Sequence, residues 1–203
     1  MAPIQPRPVV RDPDAKRRRI LNAARQLLIE RDFQEIVLDD VAKRAGVAKG
    51  TLFLYFKNKE DLFSAVFSDV AETLGLELEA LLKTGAAGKE LLVAAARVVL
   101  THFDSHRDFL GHLGAGRIPS CGPRVREKLL EKYRANLGLI GRLLSQACRQ
   151  GGTVADLEFA GAAFVGLCRS AAVRKVLFER EGAFEREAEM VVKFFVEGSG
   201  LPL

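Results

Sequence analysis

Residues 38–59, LDDVAKRAGVAKGTLFLYFKNK, constrain the fold of this 203-residue chain more than any other stretch. Two short helical patterns, 39–44 and 49–56, flank a turn centred on Gly46, the residue type that enters a left-handed turn without steric penalty. That arrangement is a helix-turn-helix, and its second helix is a candidate DNA reader. Placing Leu52 at the centre of the buried stripe and advancing about 100° per residue sets Ala48 and Phe56 beside it. Gly50 and Leu54 then point outward, Thr51 and Phe53 sit on the shoulders of that face, and Lys49 and Tyr55 flank the buried side. Apolar Phe53 and Leu54 suit water poorly, yet a leucine can touch a thymine methyl and Gly50 lets a backbone come close. The competing reading packs Phe53 and Leu54 against another helix.

The flanks extend this unit. Residues 1–11 hold three of the seven prolines together with Arg7 and Arg11, a composition that builds no core and predicts a flexible basic arm. Asp12-Pro13-Asp14 supplies a helix start, and Ile20, Leu21, Ala24, Leu27 and Leu28 share one face of the helix that follows. Lys16, Arg17, Arg18 and Arg19 crowd its first turns, where the helix dipole disfavours positive charge unless an anion lies nearby. Residues 1–60 carry 13 Lys/Arg against 8 Asp/Glu, whereas 61–203 carry 18 of each. The whole net charge of +5 therefore surrounds the helix-turn-helix, as phosphate binding requires; a merely solvated charged face is the alternative. Asn58, with Asp61 three residues on, caps the next helix, whose stripe from Leu62 to Leu82 is too long for a three-helix unit alone and reads as a lever.

The remainder predicts further helices, so the fold class is all-α. Residues 89–106 place Leu91, Leu92, Ala95, Val98, Val99, His102 and Phe103 on an apolar side. His102 and His106, four apart, could share a metal with Cys121 or His112, but no dense ligand cluster accompanies them and no metal is assigned. Residues 107–113 read as a short helix and 114–123 as a loop; with no strand before them, Gly111, Gly114 and Gly116 are turn residues, and no cofactor is assigned. Residues 124–150 form a long helix with Val125, Leu129, Leu130, Tyr133, Leu137, Ile140, Leu143, Leu144 and Ala147 along its stripe, and a basic excess of seven Lys/Arg to two Asp/Glu. A small-residue helix starts at Asp156, and after Gly182 a last helix carries Phe184, Ala188, Val191, Val192, Phe195 and Val196. This terminal pair suits a four-helix dimer interface or, alternatively, internal packing.

The longest apolar run, 91–100, is too short for a bilayer and is broken by Arg97, and Pro and Arg stand where a signal peptide needs apolar residues. A cytoplasmic protein without membrane contact is expected. Three cysteines, Cys121, Cys148 and Cys168, fit reduced thiols better than a disulfide framework.

The residues of 39–62 resemble the N-terminal domain of the tetracycline-repressor-like (TetR) family of transcriptional regulators. The motif runs through Asp39-Asp40-Val41-Ala42, Ala45-Gly46-Val47, Lys49-Gly50-Thr51-Leu52-Phe53 and Tyr55-Phe56-Lys57-Asn58-Lys59-Glu60-Asp61-Leu62, while the later helices fit the family's variable domain only loosely. The resemblance implies a helix-turn-helix domain over 12–58 and an effector-binding and dimerisation domain over 59–203. It implies a homodimer on double-stranded DNA, at a near-palindromic operator with half-sites about one turn apart, ~34–36 Å. Lys49, Gly50, Thr51, Phe53 and Tyr55 fall where the family contacts DNA, Lys59 falls where it grips phosphate, and Leu54 joins them from its outward position. His102, Phe103, His106, Phe164 and Cys168 are the expected lining of a pocket for an unidentified small-molecule effector. Three positions depart from the family's habit: Val37 and Ala48 replace capping Thr and Ser, and Phe53 replaces a phosphate-binding Tyr. Each change removes a hydroxyl, so phosphate binding is expected to lean on Lys and Arg.

The expected function is a sequence-specific DNA-binding regulator, a repressor released by its effector through population shift. A small-molecule- or metal-binding helical protein without specific DNA binding is the alternative. An enzyme using Cys121 with His102 or His106 is disfavoured, since no orienting acid accompanies them, and no catalytic residue is assigned.

Overall fold

A computed structural model of the chain describes residues 13–107, 122–148, 156–178 and 183–199. Its described elements are α1 (Pro13–Glu30), a 3-10 turn (Phe33–Glu35), α2 (Leu38–Ala45), α3 (Lys49–Tyr55), α4 (Lys59–Lys83), α5 (Gly88–Ser105), α6 (Pro123–Ala147), α7 (Leu157–Phe178) and α8 (Glu185–Ser199). No strand occurs among the described residues, as the periodicities predict. None of these helices is long and apolar enough to cross a membrane.

Two apolar clusters organise the chain. The first gathers Ile20, Leu21, Ala24, Leu27 and Leu28 of α1, Val41, Ala42 and Ala45 of α2, Leu52 and Phe56. It continues without a break into Leu62, Phe63, Val66, Phe67 and Val70 of α4. Phe33 meets Phe63 edge to face with ring centroids 5.2 Å apart. The α4 cap is built as its sequence predicts: the Asn58 side chain accepts a hydrogen bond from the Asp61 N–H at 2.8 Å, and the Asp61 carboxylate accepts from the Lys57 N–H at 3.0 Å. Two groups held in this way anchor the long helix to the end of α3.

The second cluster lies between α5, α6, α7, α8 and the distal part of α4. Phe184, just before α8, and Ala188, Val191, Val192 and Phe195 on it are all buried, and Phe195 packs edge to face on Phe164 at 5.2 Å. Lys175 of α7 forms a buried ion pair with Glu187 of α8 at 3.3 Å. Ala96 and Leu100 join the α5 face, whereas Val98 is only partly buried.

Helix α6 lies parallel to α4 along its length. Lys132 pairs with Glu72 at 2.8 Å, the Asn136 amide donates to the Ala71 carbonyl at 3.0 Å, and Gln146 donates to the Ala86 carbonyl at 2.8 Å. At its lower end Val125 is fully buried inside the first cluster, with Leu129 packed against it. The stripe expected on α6 is corrected at two positions, because Leu130 and Tyr133 are exposed. They share a helical face with Leu137, Gly141 and Leu144, but α7 covers that face only from Leu137 onward. There the two backbones touch: a Cβ on Gly161 would stand 2.8 Å from the Leu137 carbonyl oxygen, and one on Gly141 would stand 2.9 Å from that of Leu157. The glycines of both helices are what lets them cross so closely.

Candidate nucleic-acid interface

The reading helix α3 is positioned from both ends. Gly46 caps α2 in the left-handed region, φ 63° and ψ 42°, with its N–H directed at the Ala42 and Lys43 carbonyls, and Val47 donates to Ala42 at 3.0 Å. Leu52, fully buried, fixes the inner face. Val37 and Ala48 occupy the N-cap positions of α2 and α3 without any side-chain hydrogen bond, as their lack of a hydroxyl dictates. Ala48 is exposed rather than buried beside Leu52, because the chain leaves helical geometry there and the 100° rule no longer applies. In place of caps, ion pairs bind the unit together. Both terminal guanidinium nitrogens of Arg44 donate to Glu30, which holds that carboxyl below its usual range, and Arg31 pairs with Asp40 at 2.8 Å.

The outer face is apolar. Leu54 is 84% exposed and Phe53 45%, and among the described residues neither belongs to the apolar cluster that α1, α2 and α4 share. Around Gly50 there is open space, Thr51 is half-buried, and Tyr55 packs against the first cluster. Lys49 is tied to Asp39 of α2 at 2.7 Å. Lys59 donates to the Gln34 carbonyl at 3.2 Å and lies over the Phe33 ring at 4.3 Å. Its ammonium sits at the start of α4, where sequence spacing gave no hint of Gln34, 25 residues earlier. The basic start of α1 reaches the end of α3, with the Arg17 guanidinium 6.0 Å from the Phe56 ring centre.

The residues expected to line an effector pocket fall into two groups. His102 and His106 meet edge to face at 4.7 Å, with Phe103 6.5 Å from His102. Phe164 and Cys168 are wholly buried on the inner face of α7. Burial pushes the Cys168 thiol up to about 12, which leaves it unreactive. Among the described residues no three His, Cys, Asp or Glu side chains are grouped as a metal site, and His112 and Cys121 lie outside the described residues. His106 feels Arg25 of α1 and Asp69 of α4, so the histidine pair stands where the C-terminal helices meet the reading head.

Burial, with a smaller contribution from His106, pushes His102 from 6.5 down to about 4. The unfolded chain therefore takes up more protons than the folded one between those values. The stability that neutral His102 contributes is fully present above pH 6.5 and is lost as the pH drops through that window, by about 3 kcal/mol in total. Urea unfolding at pH 7 and pH 4.5 checks this, and a His102→Leu variant is expected to lose less stability on acidification than the parent.

Residues 20–66 match the family described as bacterial regulatory proteins, tetR family. The fatty acid metabolism regulator protein of Bacillus subtilis (strain 168) is 28% identical over 137 residues, which cover 65% of this chain and 68% of that protein. The solved structure of the fatty acid degradation regulator FadR from Bacillus halodurans superposes with a TM-score of 0.71 at 22% identity, over 96% of this chain and 98% of that one. FadR from Bacillus subtilis, solved in complex with stearoyl-CoA, superposes with a TM-score of 0.68 at 23% identity, over 89% and 98%. The matched segment holds the helix-turn-helix with the later part of α1 and the first turns of α4, and the likeness in fold continues through α8: residues 20–66 carry the domain of the tetR family of bacterial regulatory proteins, and the chain as a whole shares the fold of the FadR regulators.

Proposed function

We propose that the protein is a homodimeric, sequence-specific DNA-binding regulator that represses transcription until a small-molecule effector of the long-chain acyl-thioester class occupies its C-terminal half. The observation that carries the DNA-reading part is the outer face of α3, where large apolar side chains stand in water on a helix whose end is met by Arg17 of the basic start of α1. Water alone gives no reason for that face, whereas a major groove offers both apolar methyls and phosphate.

The dimer reading rests on α7 and α8. Phe159, Val173 and Leu177 follow one outer stripe of α7 around the open site at Gly166, and Met190 and Phe194 share an outer face of α8. A helix apolar on all sides belongs inside an assembly, and a second copy supplies a matching face by two-fold symmetry. The effector class is supported by two Bacillus subtilis proteins, the fatty acid metabolism regulator protein, similar over 137 residues and so well beyond the length of the 20–66 match, and FadR, similar in fold and solved with stearoyl-CoA.

Coupling has a physical route in α6. Its upper part belongs to the second cluster, while Val125 at its lower end belongs to the core of the reading head. An effector that favours a displaced α6 moves the heads and weakens DNA binding by the same coupling free energy. The test is a mobility shift on DNA flanking the protein's own coding region, with stearoyl-CoA added to the preformed complex. Release by stearoyl-CoA but not by coenzyme A alone is expected; a complex indifferent to both contradicts the effector class.

Lys49 gives a second expectation. Its partner Asp39 is as exposed as the lysine, so the pair adds little to stability, but it holds a cation that phosphate would use. Asp39→Asn is expected to tighten DNA binding by about 3–10-fold at low salt and to steepen its salt dependence by about one counterion per subunit. Fluorescence anisotropy across a salt series reads both, and unchanged affinity would place Lys49 away from the backbone.

A further inference from the structure

We infer that Leu54 reads thymine through its 5-methyl group, so that part of the protein's preference for its operator comes from a methyl of the major groove rather than from a hydrogen bond to a base edge. The inference rests on the DNA-reading function proposed above and deepens it. Among the seven residues of α3, few groups remain to hydrogen-bond a base. Lys49 is engaged by Asp39 at 2.7 Å, Gly50 has no side chain, Phe53 and Leu54 are hydrocarbon, and Tyr55 packs against the head. Leu52 is buried, which leaves the half-buried Thr51 as the one hydroxyl on the outer side.

What the face does present is shape and apolar surface. Leu54 is the most exposed of the large apolar side chains described, at 84%. Gly50, four residues earlier on the same face, has nothing within 4 Å of where a Cβ would stand. That gap lets the helix axis approach the groove floor, and Leu54 is then the side chain that reaches it. Among the four bases only thymine carries an apolar group on the major-groove edge. A leucine set there against cytosine or against a purine edge would cover polar atoms without pairing them, and that mismatch supplies the discrimination.

Deoxyuridine tests this directly, since it keeps every hydrogen-bonding group of thymine and lacks only the methyl. The probe is the duplex that the full-length protein selects from a randomised pool, with each thymine replaced in turn by deoxyuridine and affinity read by anisotropy. At one thymine per half-site the replacement is expected to weaken binding about fourfold, the equivalent of one buried methyl group. In Leu54→Ala that same replacement is expected to change nothing, while the truncation itself disturbs no packed atom because the side chain lies in solvent. Circular dichroism that matches the parent confirms the fold of the variant. If no thymine is sensitive although the duplex binds selectively, methyl readout is overturned. If a sensitive thymine stays equally sensitive in Leu54→Ala, the assignment to Leu54 is overturned. If the pool yields no preferred sequence, the DNA-reading function itself fails and this inference falls with it.

Discussion

Replacing Lys175 with methionine is expected to lower the stability of the protein by about 3–5 kcal/mol, the cost typical of leaving one charge of a buried pair without its partner. Lys175 and Glu187 have side chains only 8% and 6% exposed, and their N–O distance is 3.3 Å. The ammonium also donates to the Ala183 carbonyl at 2.6 Å and lies 4.5 Å from the centre of the Phe184 ring. Methionine matches the stem but satisfies neither Glu187 nor that carbonyl. Pairing the change with Glu187→Leu removes the stranded carboxylate and is expected to recover most of the loss. Urea unfolding of the two variants decides between a charge effect and a packing effect. If the double variant were as unstable as the single one, the stem of Lys175 rather than its charge would hold α7 to α8. The consequence reaches function, because this pair aligns the helices whose outer faces carry Phe159, Val173, Leu177, Met190 and Phe194.

Phe63→Ala is expected to cost a similar amount, about 3–5 kcal/mol, and to act on the other end of the molecule. Phe63 is fully buried in the first cluster, edge to face with Phe33, and Lys59 lies over the far side of that pair. Its removal leaves a cavity under the junction of α3 and α4. The second cluster shares none of these residues, so DNA binding is expected to fall sharply while the C-terminal helices keep their structure. Thermal melting followed by circular dichroism would then split into an early and a late step, where the parent is expected to melt closer to one. A single transition lowered as a whole would mean that α4 and α6 weld the two clusters into one cooperative unit.

Which parts of this structure could be read from sequence follows from where the information sits. The α1 stripe, the Asn58 cap and the left-handed Gly46 turn depend on residues within a few positions of one another, and each was found as expected. The outward direction of Leu54 followed from the same local rule. Contacts between helices were out of reach of that rule. Nothing in spacing links Lys49 to Asp39, Lys59 to Gln34 or Val125 to the reading head, because each depends on how two helices are laid against each other. Leu130 and Tyr133 continue a faultless apolar stripe and are nonetheless exposed, since α7 crosses α6 only higher up at Gly141 and Leu137. On α7 the periodic signal fails outright: apolar residues surround the helix, and only the structure separates the inner Phe164 and Cys168 from the outer Phe159 and Val173.

The central claim is that α3 and its basic surround read a DNA sequence, and one titration tests it most directly. Anisotropy of two labelled duplexes, the sequence selected from a random pool and a scrambled version of it, is followed across a salt series. The account predicts at least about a thousandfold preference for the selected duplex, with affinity for both falling steeply as salt rises. Equal affinity for the two duplexes, or binding indifferent to salt, would contradict it.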